Sequence, residues 1–371
     1  MVKNEETVIK QTLLPFVQED PLGITIGYVV YDTGDAPWST TMEKSKELFE
    51  EYGITNYCIV QDPFIDFSTS RNRALRFAET KFPGSTFLLM LDAEWYIKNL
   101  NDLLLFCQQK INDTATNVYL LQLVTPFMVF HTARLIRAQT NVCFEGVVHE
   151  CISKKNSVDY GPATVSFDYP EKPQGLQASR KRWLRDRDLL LNEYKKNPID
   201  TRNIFYLAQT YDCLQDYENA YFYYSKRALL KDFEEEDYMA QYRLGMVSEK
   251  IVNKEGAINW PQALTHYLNA FFMRPSRAEP LVRIAAYYIN HELYDLAFLY
   301  AYIACQIPYP TDILFVEKPL YDTIRYEIFA KAALHTQIEI PLSVCKQACA
   351  INAHIVPQEG KFLAQSLGIQ F

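Results

Sequence analysis

Thr86-Phe87-Leu88-Leu89-Met90-Leu91-Asp92-Ala93-Glu94 is an apolar run that stops on two carboxylates one residue apart. A short uncharged stretch of this kind reads as a buried strand. Carboxylates so close repel each other and lose hydration, so a divalent cation is their natural partner. Alternation along an extended strand end would put positions 92 and 94 on one side, facing one ligand. Oxygen donors suit Mg²⁺ or Mn²⁺ better than soft metals. The plainer reading is a surface turn in which Asp92 caps the next element.

Outward from this run, Ile24 to Tyr31, Tyr57 to Val60 and Val118 to Val124 also read as buried strands. Helices fall between them. One starts at Thr40, where Thr40-x-x-Glu43 makes a capping box, and ends at Gly53. A second runs from Ser70 to Lys81 and stops before Pro83. Strands alternating with helices imply an α/β domain with a mostly parallel, Rossmann-like sheet over residues 1–172, with ligands at the carboxyl ends of its strands. Asp32 and Asp92 both fall there.

The pattern changes after Asp168-Tyr-Pro-Glu-Lys-Pro-Gln-Gly175. From 176 to 371 strand signals vanish and an all-α pattern takes over. Leu207, Ala208, Tyr211, Ala220 and Tyr224 occupy the small and large positions of a tetratricopeptide (TPR) helix pair. Leu244, Gly245, Ala263, Tyr267, Ala270 and Pro275 do so again. Ile284, Ala285, Tyr288, Ala297, Ala301 and Ala304 make a third set. Ala220, Ala263 and Ala297 recur at intervals of 43 and 34 residues, against a repeat period of about 34. A plain helical bundle is the competing reading. Residues 321–371 also read as helical, as a cap on the array.

Composition narrows the classes. The chain has 371 residues, room for two or three domains, and its 49% hydrophobic content excludes disorder. A net charge of −8 argues against a broad nucleic-acid surface. No apolar stretch reaches membrane-spanning length, and Met1-Val-Lys-Asn-Glu-Glu6 lacks the form of a signal peptide. The eight cysteines form no C-x-x-C pair, and Cys345 and Cys349 are spaced to share a helix face. A cytoplasmic, reduced protein is expected.

Polar clusters punctuate the first half. In Asp32-Thr-Gly-Asp35 a carboxylate at a strand end can accept from a nucleobase or ribose, or simply close a turn. Within Asp66-Phe-Ser-Thr-Ser-Arg71-Asn72, Arg71 can pair with a carboxylate or a diphosphate. Phe144-Glu-Gly-Val-Val-His149-Glu150 sets an imidazole beside a carboxylate. His149 is a candidate for metal or phosphate and Glu150 for a general base, the alternative being a structural pair on a loop.

The ordered series Val2-Lys-Asn4-Glu5, Asp32-Thr-Gly, Asp66-Phe-x-x-x-Arg71-Asn72-x-Ala74-Leu75, Leu91-Asp-Ala-Glu94, Arg134-Leu-Ile-Arg137 and Gly146-Val-Val-His-Glu150 resembles family-2 glycosyltransferases of the GT-A fold. The closest match is the subgroup with TPR-like helices after the catalytic domain, whose helical extension Pro275-Ser-Arg-Ala-Glu-Pro280 and Leu314-Phe-Val-Glu317 also resemble. The resemblance implies a metal-dependent inverting hexosyltransferase using a nucleotide-diphosphate sugar, with UDP expected. Asp92, Glu94 and His149 would hold Mn²⁺ or Mg²⁺. Asn4, Asp32, Asp35, Arg71, Asp92 and His149 would line the nucleotide site, and Glu150 would deprotonate an acceptor hydroxyl on a glycan, lipid or protein. Two departures stand out: Glu94 replaces the usual Asp, and the apolar strand that precedes V-K-N-E in relatives is shortened or missing here. The alternative function is a non-catalytic TPR-type interaction module, whose helices would bind a protein partner or a second copy, carried on a vestigial α/β domain. Nucleotidyl transfer would need a Gly-rich basic loop, and none is visible.

Overall fold

The computed structural model describes residues 1–19, 26–170, 176–252, 256 and 258–338. The chain divides into two compact units, Met1–Gln174 and Gly175–Phe371.

In the first unit, α1 (Ile9–Glu19) buries Ile9, Thr12, Phe16 and Val17, the spacing of one helical face. β1 (Tyr28–Asp32) pairs in parallel with β2 (Tyr57–Gln61), Tyr28 opposite Tyr57 and Asp32 opposite Gln61. The crossover between them is α2 (Thr40–Glu51). Its cap is Ser39, one residue ahead of the expected Thr40, accepting from the Met42 N–H at 3.2 Å. Gly53 follows the helix at φ +65°, where a side chain would be strained. α3 (Phe67–Lys81) starts three residues before the expected Ser70, because the Asp66 carboxylate caps it through the Thr69 N–H at 2.7 Å.

The remaining strands form a mixed sheet, not the mostly parallel one expected. Its members are β3 (Phe87–Leu89), β4 (Tyr96–Lys98), β5 (Val118–Val124), β6 (Met128–Arg137), β9 (Val158–Tyr160) and β10 (Ser166–Asp168). β7 (Phe144–Glu145) and β8 (Cys151–Ile152) form a separate short antiparallel pair. α4 (Leu100–Gln109) follows β4. β10 lies between β4 and β5, β6 lies on the other side of β5, and β3 adds to β6. Contacts of β5 with β9 and β10 are parallel, whereas β4–β10, β5–β6 and β3–β6 are antiparallel. The physical reason is the turn at Thr125. Its hydroxyl accepts from the Phe127 and Met128 N–H groups, closing a hairpin too short for a crossover helix. Tyr119, Leu121, Leu123, Leu135 and Phe167 from this sheet join Phe16, Leu48, Phe49 and Leu103 in one core.

The second unit is a chain of antiparallel helices: α5 (Leu176–Lys196), α6 (Thr201–Cys213), α7 (Tyr217–Leu229), α8 (Glu234–Ser248), α9 (Trp260–Met273), α10 (Glu279–Asn290), α11 (Tyr294–Gln306) and α12 (Arg325–His335), each touching the next. The alanines read from the sequence lie at the crossings. Ala220, Ala263, Ala270, Ala297 and Ala304 are fully buried, and Ala301 nearly so. Gly245 on α8 has no room for a side chain, since a Cβ there would stand 2.5 Å from the Tyr267 ring of α9. The two segments Arg277–Pro280 and Leu314–Glu317 meet through one buried guanidinium. Arg277 pairs with Glu279 at 2.7 Å and Asp312 at 2.9 Å and donates to the carbonyls of Leu314 and Phe315. The cap expected over 321–371 is helical through His335; the part beyond 338, with Cys345 and Cys349, lies outside the described residues.

Candidate functional site

The acid doublet is not an extended strand end. β3 stops at Leu89, and Asp92 to Trp95 is a turn closed by the Trp95 N–H on the Asp92 carbonyl at 3.3 Å. Glu94 takes φ +74°, and its N–H donates to Thr12 Oγ1 of α1 at 3.1 Å. The turn breaks the two-residue alternation on which a shared ligand face depended.

Asp92 is instead held by arginines. Its Oδ2 accepts from Arg71 Nη2 on α3 at 2.8 Å and from Arg134 Nη2 on β6 at 3.0 Å. Arg71 Nε donates to Glu150, and Arg134 Nη1 stands 3.9 Å from the same carboxylate. Arg134 lies over Trp95 at 4.6 Å and Arg71 over Phe144 at 5.8 Å. Asn72 fixes the approach of β7 by donating to the Phe144 carbonyl and accepting from its N–H. The Met1 nitrogen is buried nearby, donating to the Leu91 carbonyl at 3.1 Å.

Burial pushes the Asp92 carboxyl up, but the two guanidiniums outweigh it and hold it well below the usual carboxylate range. Burial lowers Arg134 to about 10, with repulsion from Arg71 adding to the effect, while Asp92 and Glu150 pull the other way. The Met1 amine falls to about 6, first by burial and then by repulsion from the arginines, with Asp92 and Asp32 opposing. Arg71 Nη1 and Arg134 Nε are buried with no hydrogen bond. With the Met1 amine lowered to about 6, two guanidiniums face two carboxylates, so the cluster is close to charge-balanced at neutral pH and leaves Asp92 little net charge to offer a cation.

The other expected residues lie apart from any shared cation position. Asp32 is fully buried and serves its own turn, accepting from the Gly34 N–H at 2.6 Å and from the Ser39 hydroxyl. Asp35 is exposed and meets Lys3 at 3.6 Å. Asn4 and His149 are exposed, each in a left-handed backbone, at φ +58° and +53°. Among the described residues no three His, Cys, Asp or Glu side chains come together to hold a metal. With Asp92 occupied and Glu94 turned away from strand geometry, the donor set does not fit Mn²⁺ or Mg²⁺. Arg71, Asp92 and Glu150, which the resemblance assigned to one site, are brought together as an ion-pair cluster. Arg134 is the participant whose role the sequence did not reveal, although its position was marked.

No protein-family model matches the chain, and no curated protein matches its sequence. Solved structures that match include a MamA RS-1 ArsTM double mutant, at 16% identity, 52% of this chain, 93% of that chain and a TM-score of 0.34. A crystal structure of MamA matches at 14% identity, 53% and 99% coverage and 0.34. MamA 41-end from Desulfovibrio magneticus RS-1 matches at 16% identity, 52% and 89% coverage and 0.29. The likeness to family-2 glycosyltransferases is corrected: no family model supports it, and the sheet is mixed where a mostly parallel one was implied.

Proposed function

We propose that this chain is a protein-interaction protein whose working surface is the helical-repeat unit. The observation that carries the reading is on α11. Ala297, Ala301 and Ala304 bury one face, while Leu296, Leu299 and Ile303 stand 39–46% exposed on another. Their spacing is that of a single helical stripe. Asp295 is the only charged residue in the helix. A helix apolar on both faces is normally covered on both, and such stripes take up an apolar helix face of a partner.

A photo-crosslinking amino acid at position 299 tests this in cells that make the protein. A discrete adduct, lost when Ile303→Glu is added, is the expected result. Its mass identifies the partner, a second copy included. Absence of any discrete adduct at 296, 299 and 303 would overturn the reading. Ile303→Glu itself should change stability by no more than about 0.5 kcal/mol, as expected at an exposed position.

A further inference from the structure

α11 ends at Gln306 and α12 starts at Arg325, after a π-helical turn at Leu320–Ile324. Antiparallel helices need only about 2–8 residues to connect them. The link 307–319 is longer than that, and its surplus runs back over helices much earlier in the array. Phe315 stacks on Phe205 of α6, with ring centroids 6.5 Å apart and planes 14° from parallel. From α8, Glu235 Oε2 accepts from the Ile313 N–H at 3.0 Å and from the Leu314 N–H at 2.8 Å. Arg277, just ahead of α10, donates to the carbonyls of Leu314 at 3.2 Å and Phe315 at 3.0 Å.

Asp312 is the only charged residue of 312–315. It accepts two bonds from Arg274 at the end of α9, at 2.5 and 2.7 Å, and one from Arg277 at 2.9 Å. Burial pushes the Asp312 carboxyl up, but these bonds outweigh it and hold it below its ordinary value. The segment is thus recognised in three ways: its acid by two guanidiniums, its main chain by charged side chains, and its aromatic ring by a facing ring.

Its backbone shape is imposed from outside. Phe315 stands at φ +47°, a left-handed conformation that a bulky residue adopts only under constraint. The main-chain groups named above go to side chains of other helices, as in a bound peptide. Arg277 is fully buried and Glu235 nearly so. Withdrawal of the segment would leave Glu235 without these two donors and Arg277 with Glu279 as its remaining carboxylate, a costly state for buried charges. The site is therefore stable when filled, by this segment or by one of the same chemistry.

We infer that Phe205, Glu235, Arg274 and Arg277 form a docking site for a short acidic–aromatic peptide, Asp-x-x-Phe, and that 312–315 is its tethered occupant, replaceable by such a peptide from a partner. The inference rests on the reading of the helical unit as the interaction surface, but it uses no residue of the α11 stripe. Crosslinking at 296, 299 and 303 and peptide binding here can therefore fail independently.

The test replaces 312–315 by Gly-Ser-Gly-Ser in the full chain and titrates it against a fluorescent peptide of residues 309–318. Saturable binding to the replaced chain is expected. Wild type should bind at least about tenfold more weakly, because a tethered occupant competes at an effective concentration on the order of mM. The peptide carrying Asp312→Asn or Phe315→Ala should lose at least about tenfold in affinity. Thermal unfolding is followed with and without the peptide. The peptide should raise the midpoint of the replaced chain, or give a cooperative transition where that chain alone shows none. Absence of both binding and stabilisation would overturn the proposal, as would equal binding to wild type or equal binding by the two altered peptides.

Discussion

Arg71 is 4% exposed and carries two carboxylates, Asp92 and Glu150, from different parts of the fold. Removing one partner of a buried ion pair typically costs about 3–5 kcal/mol, because the remaining charge is left uncompensated. Arg71→Ala should lose stability on that scale in urea denaturation, whereas an exposed Arg such as Arg73 should cost far less when replaced. Two pH windows follow from the same cluster. The Asp92 carboxyl is depressed, so its contribution is complete above the ordinary carboxylate range and is lost as pH falls below it. The Met1 amine is lowered from 8.0 to about 6. Between those values the unfolded chain binds a proton that the folded chain does not, so stability falls as pH drops from 8 to 6, by at most roughly 2.7 kcal/mol. Urea midpoints across pH 3–8 should show both windows, and acetylation of Met1 should abolish only the upper one. Residues 92 and 94 were legible as an acidic pair. What neutralises Asp92 was not, because Arg134 lies 42 residues away and the turn at Glu94 leaves no periodic signature.

At the scale of elements, alanine and glycine spacing revealed the helical array well, because close helix crossings admit few residue types. Gly245 shows the constraint. Gly245→Ala gains about 1 kcal/mol of helix propensity, yet its new methyl would stand 2.5 Å from the Tyr267 ring. Overpacking of this kind costs about 1–3 kcal/mol, and Tyr267 is also held by its hydroxyl bond to Glu249 at 2.7 Å. The variant should therefore melt lower than wild type in a thermal scan; a higher midpoint would mean that α8 and α9 part more easily than their packing implies. Strands were read less completely. β5 was found with its limits, since Val118 to Val124 is apolar throughout but for one glutamine. β6 was missed, because His131, Thr132, Arg134 and Arg137 interrupt its apolar residues, and the cation–π contacts that accommodate Arg134 on Trp95 and Arg137 on Phe87 appear only after folding.

Across the whole molecule, the sequence motifs and the assembled chemistry point in different directions. The polar clusters at strand ends read as a metal-dependent transferase when they are taken as an ordered series. Folded, Asp92 and Glu150 share two arginines, Asp32 closes its own turn, and α11 keeps a stripe of exposed apolar side chains. No helix among the described residues is long and apolar enough to cross a membrane. The central claim is that Asp92 is neutralised from within, by Arg71 and Arg134, and so is not free to hold a cation. Titration calorimetry with Mn²⁺ and UDP tests it most directly. The account predicts no saturable heat for wild type or for Asp92→Asn. Stoichiometric heat in wild type that disappears in the variant would contradict it.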